Sequence, residues 1–183
     1  VNDAAYILNI IVIITSISTI VLVLDAVGFL PYKCTKWLTR NKLDTTIEVL
    51  KDLGAKEIFL VSRNPSKTSP EGVTSVSYDK LESIGKASFI TNCTPVGMYP
   101  NTDSCPIEKS LFKNYSYAID LIYNPKETLF LQYAKESGAS TLNGLFMLLG
   151  QAIKAEELWQ NMEISMETIN ELYKELQTAL YGG

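Results

Sequence analysis

Short apolar segments alternate regularly with helical ones from residue 45 to the C-terminus, and this alternation limits the possible folds more than any other feature. The predicted strands are Glu57–Val61, Val73–Val76, Ala87–Thr91, Tyr117–Ile122 and Ser140–Leu142. Strands that alternate with helices of this length are joined by right-handed crossovers. The pattern therefore predicts an α/β fold, a doubly wound parallel sheet with helices on both faces.

The predicted helices are marked by apolar spacing and by glycines at their ends. Ile47, Leu50 and Leu53 share one helical face, and Gly54 is a typical C-terminal stop. Further helical segments are predicted at Tyr78–Ile84, from Thr128 to Gly138, at about 145–159 and at about 165–180.

The first 24 residues allow two interpretations. Ala4–Leu24 contains 21 residues without a charge, which is long enough for a membrane-spanning helix, with the following chain in the cytoplasm because basic residues come after it. The favoured interpretation is buried soluble structure, since Ile, Val and Thr dominate and Thr19–Leu24 is typical of a parallel strand that is apolar on both faces. It predicts a cytoplasmic protein.

The turn after that strand departs from a dinucleotide-binding pattern. Asp25-Ala26-Val27-Gly28 has one glycine where a glycine-rich turn would approach a pyrophosphate, and Asp25 adds a negative charge there. Residues 29–44 are predicted to be an irregular connection or a short basic helix. The shortage of glycines in the turn and the negative charge of Asp25 both predict weakened cofactor binding.

Composition excludes several kinds of function. A chain of 183 residues has room for one domain of ordinary size, and a net charge of −4 argues against nucleic-acid binding. The chain has no histidine, and its three cysteines show no zinc-site spacing, so we expect reduced thiols and no metal. Proton transfer must use Lys, Asp, Glu, Tyr or water.

The turn after the predicted strand Glu57–Val61 carries positive charge. In a dinucleotide-binding fold this position meets the adenosine ribose, where an acidic residue would hold the 2′-hydroxyl of NAD. Arg63 and Lys67 instead suit a 2′-phosphate. The turn therefore favours NADP as cofactor, although a solvated basic turn is an alternative.

Four motifs occur in an order and spacing that resemble the shikimate dehydrogenase family. They are SRNPSK from Ser62, NCTPVGM from Asn92, DLIYNP from Asp120 followed by KETLF, and NGLFMLLGQA from Asn143. The resemblance runs from about Thr46 to Leu158. It implies a Rossmann-like NADP-binding domain and the NADP-dependent interconversion of 3-dehydroshikimate and shikimate.

The same resemblance implies a role for individual residues. The 2′-phosphate and adenine would be surrounded by Ser62, Arg63, Asn64 and Lys67. The cofactor would be bordered by Asn92, Thr94 and Pro95. The nicotinamide would lie near Leu121, Gly144 and Met147. The hydroxyls or carboxylate of the substrate would meet Tyr123 and Gln151. The alternatives are that Met147 is a core residue, Gly144 a helix-start glycine and Pro95 a turn former.

The family's catalytic Lys and Asp belong to an N-terminal substrate domain that the motifs do not cover. Residues 1–18 are predicted to be an atypical apolar segment, and residues 19–183 the NADP-binding domain with a divergent stretch at 25–44. Asn101-Thr102-Asp103 resembles the family's catalytic tripeptide in letters but follows NCTPVGMYP, so no catalytic role is assigned to it.

Three functions remain open on these grounds. The chain is a truncated shikimate dehydrogenase with little activity alone, a non-enzymatic nucleotide-binding or interaction module that is tethered through residues 4–24, or a partner of a separate substrate domain. Shikimate and quinate are not distinguished as substrates. Six apolar positions of the last two helices are expected to need a cover, from residues 4–24 or from self-association: Leu158, Trp159, Met162, Ile169, Leu172 and Leu176.

Overall fold

Six parallel strands form one sheet in a computed structural model that describes residues 20–24, 43–44, 46–65 and 70–182. The strand order is β3-β2-β1-β4-β5-β6, and every neighbouring pair is parallel. This order reverses direction between β1 and β4, as in doubly wound dinucleotide-binding folds. The predicted fold class is confirmed. The strands are β1 (Ile20–Leu24), β2 (Glu57–Val61), β3 (Thr74–Val76), β4 (Ala87–Asn92), β5 (Tyr115–Asp120) and β6 (Ser140–Leu142).

Helices connect these strands and close the chain. The helix α1 spans residues 46–52, and residues 43 and 44 are helical as well. A 3₁₀ turn at Tyr78–Lys80 leads into α2 (Leu81–Ile84), and a second one lies at Lys109–Asn114. The remaining helices are α3 (Leu129–Glu136), α4 (Leu145–Gln160) and α5 (Met166–Tyr181).

Most predicted elements are confirmed to within one or two residues, and the predicted strand Tyr117–Ile122 is shifted as a whole by two residues towards the N-terminus. The observed strand begins at Tyr115 and ends at Asp120. It ends there because the Asp120 carboxylate accepts a hydrogen bond from the Ile122 N–H, at 3.0 Å, which turns the chain away from the sheet. Apolar Leu121 and Ile122 therefore belong to the following turn.

The strand β1 occupies the centre of the sheet, between β2 and β4. It confirms the strand that was predicted at Thr19–Leu24. The rest of the apolar run, the turn Asp25–Gly28 and residues 29–42 lie outside the described residues. Within the part of the chain that the structure describes, no helix is long and apolar enough to cross a membrane.

Two apolar clusters cover the two faces of the sheet. Ile90 of β4 packs in a cluster with Phe112 and Phe130, whose rings meet edge to face at 5.1 Å between centroids. Its neighbour Phe89 points to the opposite face and packs in a cluster with Ile47 of α1. Successive residues of one strand are thus buried on opposite faces, as a sheet with helices on both sides requires.

The helices α4 and α5 pack against each other around a third cluster. Leu149, Ile153 and Tyr173 are buried in it, and Ile169 and Leu176 pack against it. The expectation that Ile169 and Leu176 lack a partner is therefore wrong, because α5 folds back on α4. The other four residues of that prediction are exposed: Leu158, Trp159, Met162 and Leu172.

The start of α4 presses closely on the turn after β5. Gly144 is buried at the helix start, and a Cβ atom at this position would lie 2.2 Å from the Leu121 carbonyl oxygen. Its N–H donates to the Ile122 carbonyl at 3.0 Å. Only glycine allows the two backbones to come so close.

We expect Gly144→Ala to lower the free energy of unfolding by about 3 kcal/mol, because the new methyl group must displace backbone rather than a side chain. Gly150→Ala in the same helix is the matched control, since a Cβ atom there has no neighbour within 4 Å. Alanine should stabilise that helical position by about 0.5–1 kcal/mol. Urea denaturation measures both, and equal effects of the two variants would contradict the close approach.

Candidate functional site

A buried hydrogen bond joins the carboxyl ends of β4 and β5. Asn92 and Asp120, the last residues of these strands, are paired in register. The Asn92 side-chain amide donates to the Asp120 carboxylate at 3.1 Å, and both residues are fully buried. Ligands of open α/β sheets bind beyond this edge, next to the point where the strand order reverses.

Asn92 also shapes the loop that follows β4. Its side-chain oxygen accepts from the Thr94 N–H at 2.9 Å and from the Thr94 hydroxyl at 2.6 Å. The Thr94 hydroxyl in turn accepts from the Val96 N–H at 3.1 Å. Both polar atoms of the Asn92 side chain are thus hydrogen-bonded to Thr94 or Asp120. Asn92 therefore acts on the candidate site by holding the loop after β4.

Asp120 is the centre of this buried network. Besides Asn92, it accepts from the Ile122 N–H and from the Thr128 hydroxyl, the latter at 2.6 Å. Thr128 also caps α3 by accepting from the Leu131 N–H. Burial raises the pKa of Asp120 from its ordinary value of 3.8 to about 6, although all three hydrogen bonds favour the charged form.

The turns after β5 and β6 bring Leu121 and Gly144, two of the residues expected at the nicotinamide, into contact. Leu121 contacts Gly144, and the Leu121 N–H donates to the Asn92 carbonyl at 3.1 Å. Tyr123 follows in the first turn and is 37% exposed. Met147 is partly buried one turn into α4, and Gln151 is exposed one turn further on the same face.

Of the residues expected at the 2′-phosphate and adenine, Arg63 lines a cleft of about 690 Å³, together with Thr94 and Pro95, which were expected to border the cofactor. Arg63, Tyr78, Thr94 and Pro95 form its walls, together with residues 96–101 and 104–106. The lining of the cleft is mostly apolar, and Arg63 adds a positively charged side chain to it. Such a cleft suits a planar ring system that carries an anionic group.

Ser62 and Asn64, also predicted at the adenosine end, organise the turn after β2. Ser62 is buried, and its hydroxyl accepts from the Asn64 N–H at 3.2 Å. The Ser62 N–H donates to the Val76 carbonyl at 2.9 Å. Asn64 is exposed, whereas Lys67 lies outside the described residues.

Three polar residues of the site were not singled out from the sequence. They are Asp120, Thr128 and Asn143, and all of them lie within the quoted motifs or directly beside them. The sequence does contain a signal for Asp120, because a carboxylate at the end of a predicted strand is followed by a threonine where a helix begins. Its partner Asn92 lies 28 residues away, however, and only the parallel pairing reveals it.

The raised pKa of Asp120 predicts a specific pH dependence of stability. The folded state holds this proton more tightly than the unfolded state, so the contribution of Asp120 to stability falls as the pH rises from about 4 to 6. A pKa rise from 3.8 to about 6 corresponds to on the order of 3 kcal/mol. Asp120→Asn should remove this dependence. The stability of the variant relative to the wild type should therefore increase by that amount as the pH rises from 4 to 7.

Urea denaturation of both proteins at several pH values measures the difference. Asp103→Asn makes the same chemical change at an exposed carboxylate and is the control. A difference between Asp120→Asn and the wild type that stays constant over this pH range would contradict the assignment.

Comparison with known proteins identifies relatives of this chain. It is 42% identical over 135 residues to the shikimate dehydrogenase (NADP⁺) of Clostridium perfringens, an alignment that covers 72% of this chain and 50% of the relative. No protein-family model matches the chain. The chain spans about half the length of the curated relatives that it matches.

Solved structures share the fold as well. The chorismate mutase/shikimate 5-dehydrogenase fusion protein of Clostridium acetobutylicum has a TM-score of 0.74 and 39% identity, over 89% of this chain and 56% of that one. Shikimate dehydrogenase 1 of Peptoclostridium difficile has a TM-score of 0.75 and 30% identity, over 96% and 62%. Sequence and structure agree that this chain belongs to the shikimate dehydrogenase family over the part that it matches, the C-terminal half of its curated relatives.

Proposed function

We propose that this chain is the NADP-binding part of a shikimate dehydrogenase, which interconverts 3-dehydroshikimate and shikimate in aromatic amino-acid biosynthesis. The observation that carries the proposal is the shared cleft of Arg63, Thr94 and Pro95 beyond the carboxyl edge of the sheet. The motifs predicted that these three residues would meet the same cofactor. They come from turns after two different strands, β2 and β4.

The residues of this cleft fit NADP. The Arg63 guanidinium can bind a 2′-phosphate by paired, charge-assisted hydrogen bonds, whereas NAD offers a neutral hydroxyl at that position. Tyr78 and Pro95 supply apolar surface for the adenine ring. The curated relatives in Clostridium are named as NADP⁺ enzymes, which supports the same choice.

At the other end of the site, the chain would hold the nicotinamide and the substrate. Bound NADP supplies or accepts the hydride of the reaction. Leu121, Gly144 and Met147 would form the surface against which its nicotinamide lies. The Tyr123 hydroxyl and the Gln151 amide would donate or accept hydrogen bonds to the substrate, and would discriminate against molecules that leave these bonds unmade.

The proton-transfer groups of the family are expected on the substrate domain, which the matched half does not include. We therefore propose that a substrate domain, in the same longer protein or in a second chain, completes the active site. The exposed apolar side chains of Leu158 and Trp159, at 71% and 80% exposure, support a surface that is covered in the working protein. Self-association is the other arrangement that would cover them.

Arg63→Ala should raise the Kd for NADP by about 10- to 100-fold, because a charge-assisted hydrogen-bond pair is lost, and leave the Kd for NAD within about twofold. Isothermal titration calorimetry measures both affinities. Lys113→Ala is the matched control, since it removes a positive charge from the amino end of β5. An equal loss of affinity for NADP and NAD would refute the role of Arg63.

The chain alone should oxidise shikimate with NADP at less than about one-thousandth of an ordinary turnover of about 10 s⁻¹. Absorbance at the NADPH band follows the reaction, with shikimate and quinate tested side by side. An ordinary rate would show that the proton-transfer groups lie on this chain. Binding of NADP without binding of either shikimate or quinate would favour the alternative of a non-enzymatic nucleotide-binding module.

A further inference from the structure

The last residue of α5, Tyr181, lies beside the turn that follows β5 and contains Tyr123. The Tyr181 hydroxyl donates a hydrogen bond of 2.5 Å to the backbone carbonyl of Tyr123. These residues are 58 positions apart in the sequence. The contact therefore exists only because α5 folds back along α4 and ends beside the turn that follows β5.

Asn143 extends this contact to the turn before α4. Its side-chain nitrogen donates to the Lys126 carbonyl at 2.9 Å and lies 3.4 Å from the Tyr181 hydroxyl. Its side-chain oxygen accepts from the Leu145 N–H at 3.1 Å, at the start of α4. One asparagine thus joins the turns after β5 and β6, and Tyr181 reaches both.

The ring and the protonation state of Tyr181 suit this role. The Lys126 ammonium group lies over the ring at 5.4 Å from its centroid, a cation–π contact. Burial raises the pKa of Tyr181, so its phenol keeps the proton at neutral pH and donates it. Earlier in α5, Tyr173 is buried and meets the Phe146 ring edge to face, which fixes the helix on α4.

We propose that Tyr181 is a positioning residue that fixes the backbone of Tyr123 and the turn at Asn143, and thereby the substrate side of the site. The substrate part of this role rests on the proposed function of Tyr123. The C-terminal helix pair then does more than pack on itself, because its last turn fixes the backbone of Tyr123 after the end of β5. Arg63, at the adenosine end, is not part of this network.

Tyr181→Phe in the full chain removes the hydroxyl and keeps the ring. The exchange of the Gly144 and Leu145 amide protons, measured by NMR, should become about threefold to tenfold faster, because the hydrogen bond that fastens α5 to this turn is lost. Exchange of the Ala118 amide in the centre of the sheet should not change. Tyr133→Phe on α3 makes the same chemical change away from the site and should leave all three amides as they are.

A ligand measurement separates positioning from mere stabilisation. In the presence of NADP, Tyr181→Phe should raise the Kd for shikimate about threefold to tenfold, while the ratio of the NADP and NAD affinities stays that of the wild type. Unchanged exchange at Gly144 and Leu145 would overturn the proposal. Faster exchange with an unchanged Kd for shikimate would also overturn it, because the role would then be structural only.

The two proposals fail in different ways. A wild-type chain that binds neither NADP nor shikimate refutes the proposed function. The exchange rates at Gly144 and Leu145 do not depend on any ligand, so they still decide whether Tyr181 holds this turn.

Discussion

The hydrogen bond between the Asn92 amide and the buried Asp120 carboxylate is the contact on which the geometry of the site depends. It ties the ends of two adjacent parallel strands, from which both walls of the site begin. On one side, Asn92 holds Thr94 and thus the loop that lines the cleft. On the other side, Asp120 holds the turn that leads to Tyr123 and, through Thr128, the start of α3.

This arrangement costs stability at neutral pH. Hydrogen bonds to a charged group contribute about 1.5–3 kcal/mol each, and Asp120 accepts three of them. Its pKa is nevertheless raised, so the loss of hydration outweighs all three together. A neutral residue would be easier to bury, but it would lack the two acceptor oxygens that bind Asn92, Ile122 and Thr128 at the same time. The fold retains a costly carboxylate where two loops need fixed backbone directions.

The helix α4 links the site to the outer surface. Its start is held against the turn after β5 by Gly144, and its middle packs on α5 through Leu149 and Ile153. Its last turn extends beyond this packing, and Leu158 and Trp159 remain exposed there. Gly144 and Trp159 thus lie at opposite ends of one helix, and Tyr181 fastens the C-terminal helix to the start of that helix.

The sequence by itself determined the parallel α/β fold, the strand and helix positions and the family, because these depend on local periodicity, on glycines and on motifs of consecutive residues. It also indicated Arg63, Thr94 and Pro95 for one ligand. Only the tertiary structure decided which atoms meet: that β5 ends at Asp120, that the Asn92 side chain bonds to Thr94 and Asp120, and that α4 packs against Ile169 and Leu176 of α5. The contact of Tyr181 with Tyr123 belongs to the same group, because pairing between residues far apart in the chain leaves no periodic pattern in the sequence and follows only from how the strands and helices pack.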